Sequence, residues 1–177
     1  MISNGIVNKK AHFSKSLAIG VAIFYSTFVS LTVRADNIQN FNMQSFEQIK
    51  AQYEGKPFVV SLWSIHCAPC RVELKLLGEI KKTDPDFPLV VISTDSLENR
   101  EEAVEILAND DLQNIKTWMF ADAFVERLRF SVDPLWHGEL PRSYFFNDDH
   151  SFESHSGVLT RTQLNQRGQS SLILPNQ

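Results

Sequence analysis

Two stretches of this chain are apolar without any charged interruption: FVVSLW at positions 58–63 and LVVIS at 89–93. Both are short, rich in β-branched side chains and free of polar alternation, which predicts strands covered on both faces. Between them the spacing changes. Leu74, Leu77 and Lys81 mark one row and Leu76 and Ile80 another, predicting a helix from Cys67 or Ala68 to about Lys82. DPDFP at 84–88 breaks it. Upstream, SFEQ at 45–48 fits a capping box on Ser45, and FEQIKAQY predicts a short helix ended by Gly55 and Pro57.

The second half is less regular. LENREEAVEILAND (97–110) predicts an exposed helix with Leu97, Val104 and Leu107 turned inward. TWMF (117–120) reads as a short strand and DAFVERLRF (122–130) as a helix. SYFF (143–146) leads through NDDH into SFESHS (151–156) as a hairpin, and TRTQLNQRGQ (160–169) is a last, weak helix. The predicted order is helix, strand, helix, strand, helix, strand, helix, hairpin, helix. Strands separated by helices imply right-handed crossovers and parallel pairing, whereas the closing hairpin is antiparallel. The fold class is therefore α/β, a central mixed β-sheet flanked by helices on both faces.

The first 35 residues have a different character. Residues 1–16 contain Lys9, Lys10 and Lys15 and no acid, residues 17–33 carry no charge, and Ala35 supplies a small residue after Arg34. A basic segment, an apolar segment and a small residue are the parts of a secretory signal, so residues 1–35 are expected to be a signal peptide and 36–177 one domain. The rival expectation is an uncleaved membrane anchor, diluted by Tyr25, Ser26, Thr27 and Ser30 and near the lower length limit for a span. Either way the domain belongs outside the cytoplasm, in a periplasmic or similar compartment. Without Lys9, Lys10, Lys15 and Arg34, the 17 basic residues fall to 13 against 21 acidic ones, a net charge of −8. That balance repels nucleic acid and anionic headgroups.

Only two cysteines occur, Cys67 and Cys70, at the predicted junction of strand and helix. Two are too few for a disulfide scaffold, and a bridge across two residues restrains the unfolded chain very little. At a helix N-terminus, unpaired N–H groups and the macrodipole favour a thiolate at Cys67. One turn on, Cys70 can attack a mixed disulfide and release a partner. Pro69 would take an early helical position, where its missing N–H matters little. Thiol–disulfide exchange is the reading favoured; metal ligation by the same thiols is the alternative.

GKPFVVSLWSIHCAPCRVEL (55–74) resembles the opening of thioredoxin-fold proteins of the TlpA/ResA type, exported thiol–disulfide oxidoreductases that include cytochrome c maturation thioredoxins. The matching positions are Trp63, Cys67, Pro69, Cys70, Arg71 and Glu73, and the resemblance extends over about residues 41–165. It implies a thioredoxin-like fold in which Cys67 attacks, Cys70 resolves and Glu73 tunes their proton transfers. It also implies a cis-proline at Pro141, packed beside Cys67, with the Leu140 backbone offered to an extended partner and Trp63 lining the site. No dissociable cofactor is implied, because the cysteine pair stores the two electrons. The implied partners are exported protein thiols and disulfides, an apocytochrome c or a copper-site protein among them, and a membrane thiol-reducing protein that recharges the pair. The implied role is reductant.

His66 departs from the family pattern, in which an aromatic residue often precedes the first cysteine. When protonated it would stabilise the Cys67 thiolate and make the disulfide more oxidising. Together with His137, four residues before Pro141, it also keeps open a copper-chaperone reading, since thiolate and imidazole suit Cu(I). Trp118 is expected in the core, and Trp136 in the loop before Pro141. If His66 acts only as an exposed counter-charge, His66→Trp lowers the reduction potential by at most about 20 mV near neutral pH, measured by equilibration with glutathione.

Overall fold

The computed structural model describes residues 37–172, with side chains described through residue 166. The expected signal segment lies outside the described residues. Among the described residues no helix is long and apolar enough to cross a membrane.

The elements are β1 (Ile38–Phe41), α1 (Ser45–Gln52), β2 (Phe58–Trp63), α2 (Ala68–Thr83), β3 (Leu89–Ser93), a 3-10 turn (Leu97–Asn99), α3 (Arg100–Asn109), β4 (Lys116–Phe120), α4 (Val125–Val132), β5 (Arg142–Phe146), β6 (Phe152–Ser156) and α5 (Arg161–Leu172). The strands form one mixed sheet in the order β1-β4-β3-β2-β5-β6. The first four in that order run parallel, and β5 and β6 are antiparallel to their neighbours. β2 therefore lies near the middle, where an apolar run covered on both faces belongs.

Strand alternation sorts the core into two layers. Val59 and Trp63 of β2 and Leu89 and Val91 of β3 pack with Leu74, Leu77 and Ile80 of α2 and with Ala103, Ile106 and Leu107 of α3. Phe58, Val60 and Leu62, with Val90 and Ile92, face the other way, against Phe46 and Ile49 of α1 and Leu128 and Val132 of α4. Helices thus cover both faces, as the sequence pattern predicts.

Several local expectations need correction. Ser45 is the first residue of α1, after an N-cap at Gln44 that makes no side-chain cap bond. Its hydroxyl instead accepts from the Asn42 N–H at 2.9 Å, serving the preceding turn. Helix α4 starts at Val125 rather than Asp122, because the Asp122 carboxylate turns the chain by accepting from the Phe124 N–H. Leu97 is 38% exposed, and Ile106, not expected to face inward, is buried beside Leu107. Strand β1 was not expected at all. Its IQNF buries only its two end residues, and it joins the sheet edge through parallel pairing with β4.

Helix α2 approaches the end of α3 so closely that only glycine fits at position 78. A Cβ there would lie 1.8 Å from the Asp110 carbonyl oxygen. Gly78→Ala is expected to lower stability by about 1–3 kcal/mol, because the forced backbone shift outweighs the helix-propensity gain of about 1 kcal/mol. A urea midpoint at or above that of the parent protein would contradict this packing.

Candidate active site

Strand β2 ends at Trp63, and the chain turns through Ser64–His66 into α2, with Cys67 as its N-cap. The Cys67 N–H donates to the Ser64 carbonyl at 3.1 Å, and the Cys70 N–H donates to Cys67 Sγ at 3.2 Å. Pro69 sits in the first turn, where no intrahelical N–H partner is lost. Cys67 and Cys70 form a disulfide with a Cα–Cα distance of 5.2 Å. The two sulfur-bearing residues are not equivalent: Cys70 is fully buried, whereas Cys67 is half-buried. An incoming sulfur therefore meets Cys67 first.

The turn before Cys67 is held from β3. The Asp95 carboxylate accepts from Ser64 Oγ at 2.7 Å, the Ile65 N–H at 2.9 Å and Ser93 Oγ at 2.7 Å. The Thr94 N–H donates to the Trp63 carbonyl at 2.9 Å. His66 is exposed, and its backbone N–H reaches Ser64 Oγ at 3.4 Å. Asp95, Ser64 and Ser93 were not singled out from sequence.

Glu73 is 1% exposed, which rules out the solvated helix face for this carboxylate. Ser61 and Ser143 are directly opposite each other in the β2–β5 register and both point towards α2. Each donates its hydroxyl to Glu73 Oε1 at 2.9 Å. The Leu159 N–H donates to Oε2, also at 2.9 Å. A carboxylate is tolerable in this interior because three donors converge on it. The signal in the sequence was the serine inside each of the two strands: a buried hydroxyl needs a partner, and an inward acid on α2 can serve both.

The Leu140–Pro141 peptide bond is cis, and Pro141 is buried at the start of β5. Its carbonyl accepts from the Gly157 N–H at 2.9 Å. Leu140 is half-buried and touches both core layers. Trp63 is 1% exposed and packs in the same layer as Cys70, so it supports the site from beneath and does not line its surface. Trp118 and Trp136 are also buried, and Trp136 Nε1 donates to the Glu139 carbonyl at 3.0 Å. His137 is exposed. Among the described residues no group of three His, Cys, Asp or Glu side chains is placed to hold a metal ion.

No family model matches the chain. Thioredoxin Y2, chloroplastic, of Arabidopsis thaliana is 38% identical to it over 64 residues, 36% of this chain and only 36% of that protein. Among solved structures, a secreted Mycobacterium tuberculosis disulfide oxidoreductase homologous to E. coli DsbE superposes with a TM-score of 0.55 at 19% identity, covering 68% of this chain and 85% of that one. A thiol:disulfide interchange protein of the thioredoxin family from Chlorobium tepidum TLS gives 0.56 at 20% identity, covering 70% and 84%. A DsbF homologue from Corynebacterium diphtheriae gives 0.53 at 21% identity, covering 68% and 74%. The chain has the thioredoxin-like fold.

The convergence on Glu73 sets an order of stabilities. Ser61→Ala removes one of three donors and is expected to cost about 1 kcal/mol. Glu73→Ala leaves two hydroxyls and an N–H buried without an acceptor and should cost about 3 kcal/mol. Equal denaturant midpoints for the two variants would mean that water replaces the carboxylate.

Proposed function

We propose that this chain is an exported thiol–disulfide oxidoreductase of the TlpA/ResA type that reduces protein disulfides. The observation that carries the reading is the asymmetry of the cysteine pair: a reachable sulfur caps a helix while its partner is fully buried. Exchange needs that asymmetry. The Cys67 thiolate attacks a partner disulfide, forming a mixed disulfide and releasing the partner's other sulfur, which takes up a proton. Cys70 then loses its proton and attacks Cys67 Sγ, closing the internal disulfide and releasing the second partner thiol. Two electrons and two protons pass to the partner, and no dissociable cofactor is needed.

In this reading Glu73, one helical turn beyond Cys70, accepts the proton that Cys70 must lose. Its negative charge also opposes thiolate formation nearby, which withholds stabilisation from the dithiol and favours electron donation over oxidation. Leu140 and Pro141 present their backbone to an extended partner segment. His66, at the exposed rim, modulates the Cys67 charge. The similarity to a secreted disulfide oxidoreductase and to a thiol:disulfide interchange protein supports the chemistry, and the first of these supports an exported location. Residues 1–35 would direct that export. The partners proposed are exported protein disulfides, in an apocytochrome c or a copper-site protein, with a membrane thiol-reducing protein restoring the dithiol.

Cys70→Ser should accumulate mixed disulfides through Cys67, because attack survives and resolution does not. Non-reducing gels and mass spectrometry of the adducts read this directly. Adducts on Cys70 in Cys67→Ser, with none in Cys70→Ser, would reverse the assignment of roles. A reduction potential well above that of reductants of this chemistry would overturn the direction of electron flow; about 30 mV already changes the equilibrium tenfold.

A further inference from the structure

A second group of charged side chains surrounds the loop that delivers Leu140 and Pro141. That loop runs from Asp133, which caps α4, to Pro141, and Arg142 follows as the first residue of β5. One guanidinium touches both ends of the loop. Arg142 Nη2 donates to Asp133 Oδ2 at 3.3 Å, and Nη1 donates to Glu139 Oε1 at 3.1 Å. The same two nitrogens reach across to β6: Nη2 donates to Ser154 Oγ at 2.8 Å and Nη1 to Ser156 Oγ at 2.7 Å. The β5–β6 register explains the reach, since Arg142 pairs with Ser156, and Tyr144 with Ser154, on one face of the hairpin. The guanidinium also lies 5.0 Å from the Tyr144 ring centroid.

The acidic ends of the loop are themselves held. Asp133 is 5% exposed and accepts from Tyr144 Oη at 3.1 Å and from the Leu135 N–H at 2.9 Å. The Trp136 N–H donates to the Asp133 carbonyl at 3.1 Å. Glu139 Oε1 accepts a further bond from Ser156 Oγ at 3.0 Å. The Arg142 side chain is only 12% exposed and that of Asp133 6%, so this ion pair is shielded from water, whereas the Glu139 side chain is 44% exposed. Pairs of this kind add little net stability, because both charges were desolvated to form them. They do fix geometry, and a planar fork with five donors is the side chain that can hold four acceptors at once.

We infer that Arg142 is a positioning residue for the partner polypeptide: it pins the Asp133–Pro141 loop to β6 and so holds the Leu140 backbone ready to receive an extended segment. This rests on the proposed function, in which Leu140 and Pro141 present that backbone. Arg142 belongs to a different part of the site from the sulfurs. Its loss should therefore impair recognition of a polypeptide without altering the intrinsic reactivity of Cys67.

The test compares two disulfides in the Cys70→Ser background. Glutathione disulfide has little backbone to seat, whereas an extended peptide carrying a thionitrobenzoate mixed disulfide has a full one. Arg142→Gln should slow attack on the peptide about tenfold and leave the glutathione rate within about twofold. Arg142→Lys should not restore the peptide rate, since an ammonium cannot span four acceptors. A Ser154→Ala, Ser156→Ala double variant loosens the clamp without unpairing Asp133, and should show a smaller loss of the same kind. Unchanged peptide rates in these variants, or an equal fall in both rates, would overturn the inference. Should the parent protein attack neither disulfide, the proposed function fails instead. Hydrogen exchange at the Leu135 and Trp136 amides then decides the clamp, and protection undiminished in Arg142→Gln would refute it.

Discussion

A single buried carboxylate organises this molecule. Glu73 ties α2 to β2 and β5 through Ser61 and Ser143, and to the segment after β6 through the Leu159 N–H. The helix that carries the disulfide therefore cannot slide along the sheet without stranding three donors in a dry interior. Such an error is expensive in a way that a shifted apolar contact is not. The apolar layer of Leu74, Leu77 and Ile80 supplies adhesion, and the carboxylate supplies register. The position of both sulfurs relative to β5 follows from that register.

The turn before Cys67 depends on a second carboxylate. Asp95 gathers two serine hydroxyls and one backbone N–H, while Thr94 satisfies the last carbonyl of β2. The residues that lead into the helix are thus fastened on both sides. The exposed His66 precedes Cys67, and the half-buried Arg71 follows Cys70.

What could be read from the sequence was whatever depends on neighbours along the chain. β2, β3 and α2 are legible because apolar runs and helical rows record burial locally, and the hairpin of β5 and β6 is legible because its turn is short. The cysteine pair was legible from its spacing at a strand–helix junction, and Glu73 from the resemblance of its motif. Asp95 and Arg142 were not, since their contacts join residues brought together only by the sheet: Ser64 and Asp95 are 31 positions apart, and Arg142 meets Ser154 across a strand pair. Strand β1 escaped notice for a related reason. Its Ile38 and Phe41 carry no alternation, and its place at the edge depends on β4 supplying a backbone to pair with.

Leu140 is the one residue of the proline loop that packs against both hydrophobic layers. A side chain wedged between two cores cannot yield toward either without compressing closely packed atoms, so the backbone it carries is mechanically stiff. In the proposed function, a polypeptide arriving at that backbone would meet a firm ledge rather than a loop that adapts to it. Discrimination among partners would then fall on the arriving chain, which would itself have to be extended or locally unfolded to lie flat. A tightly folded protein with its disulfide in a helix or a closed turn would be turned away by shape alone, whatever its reduction potential.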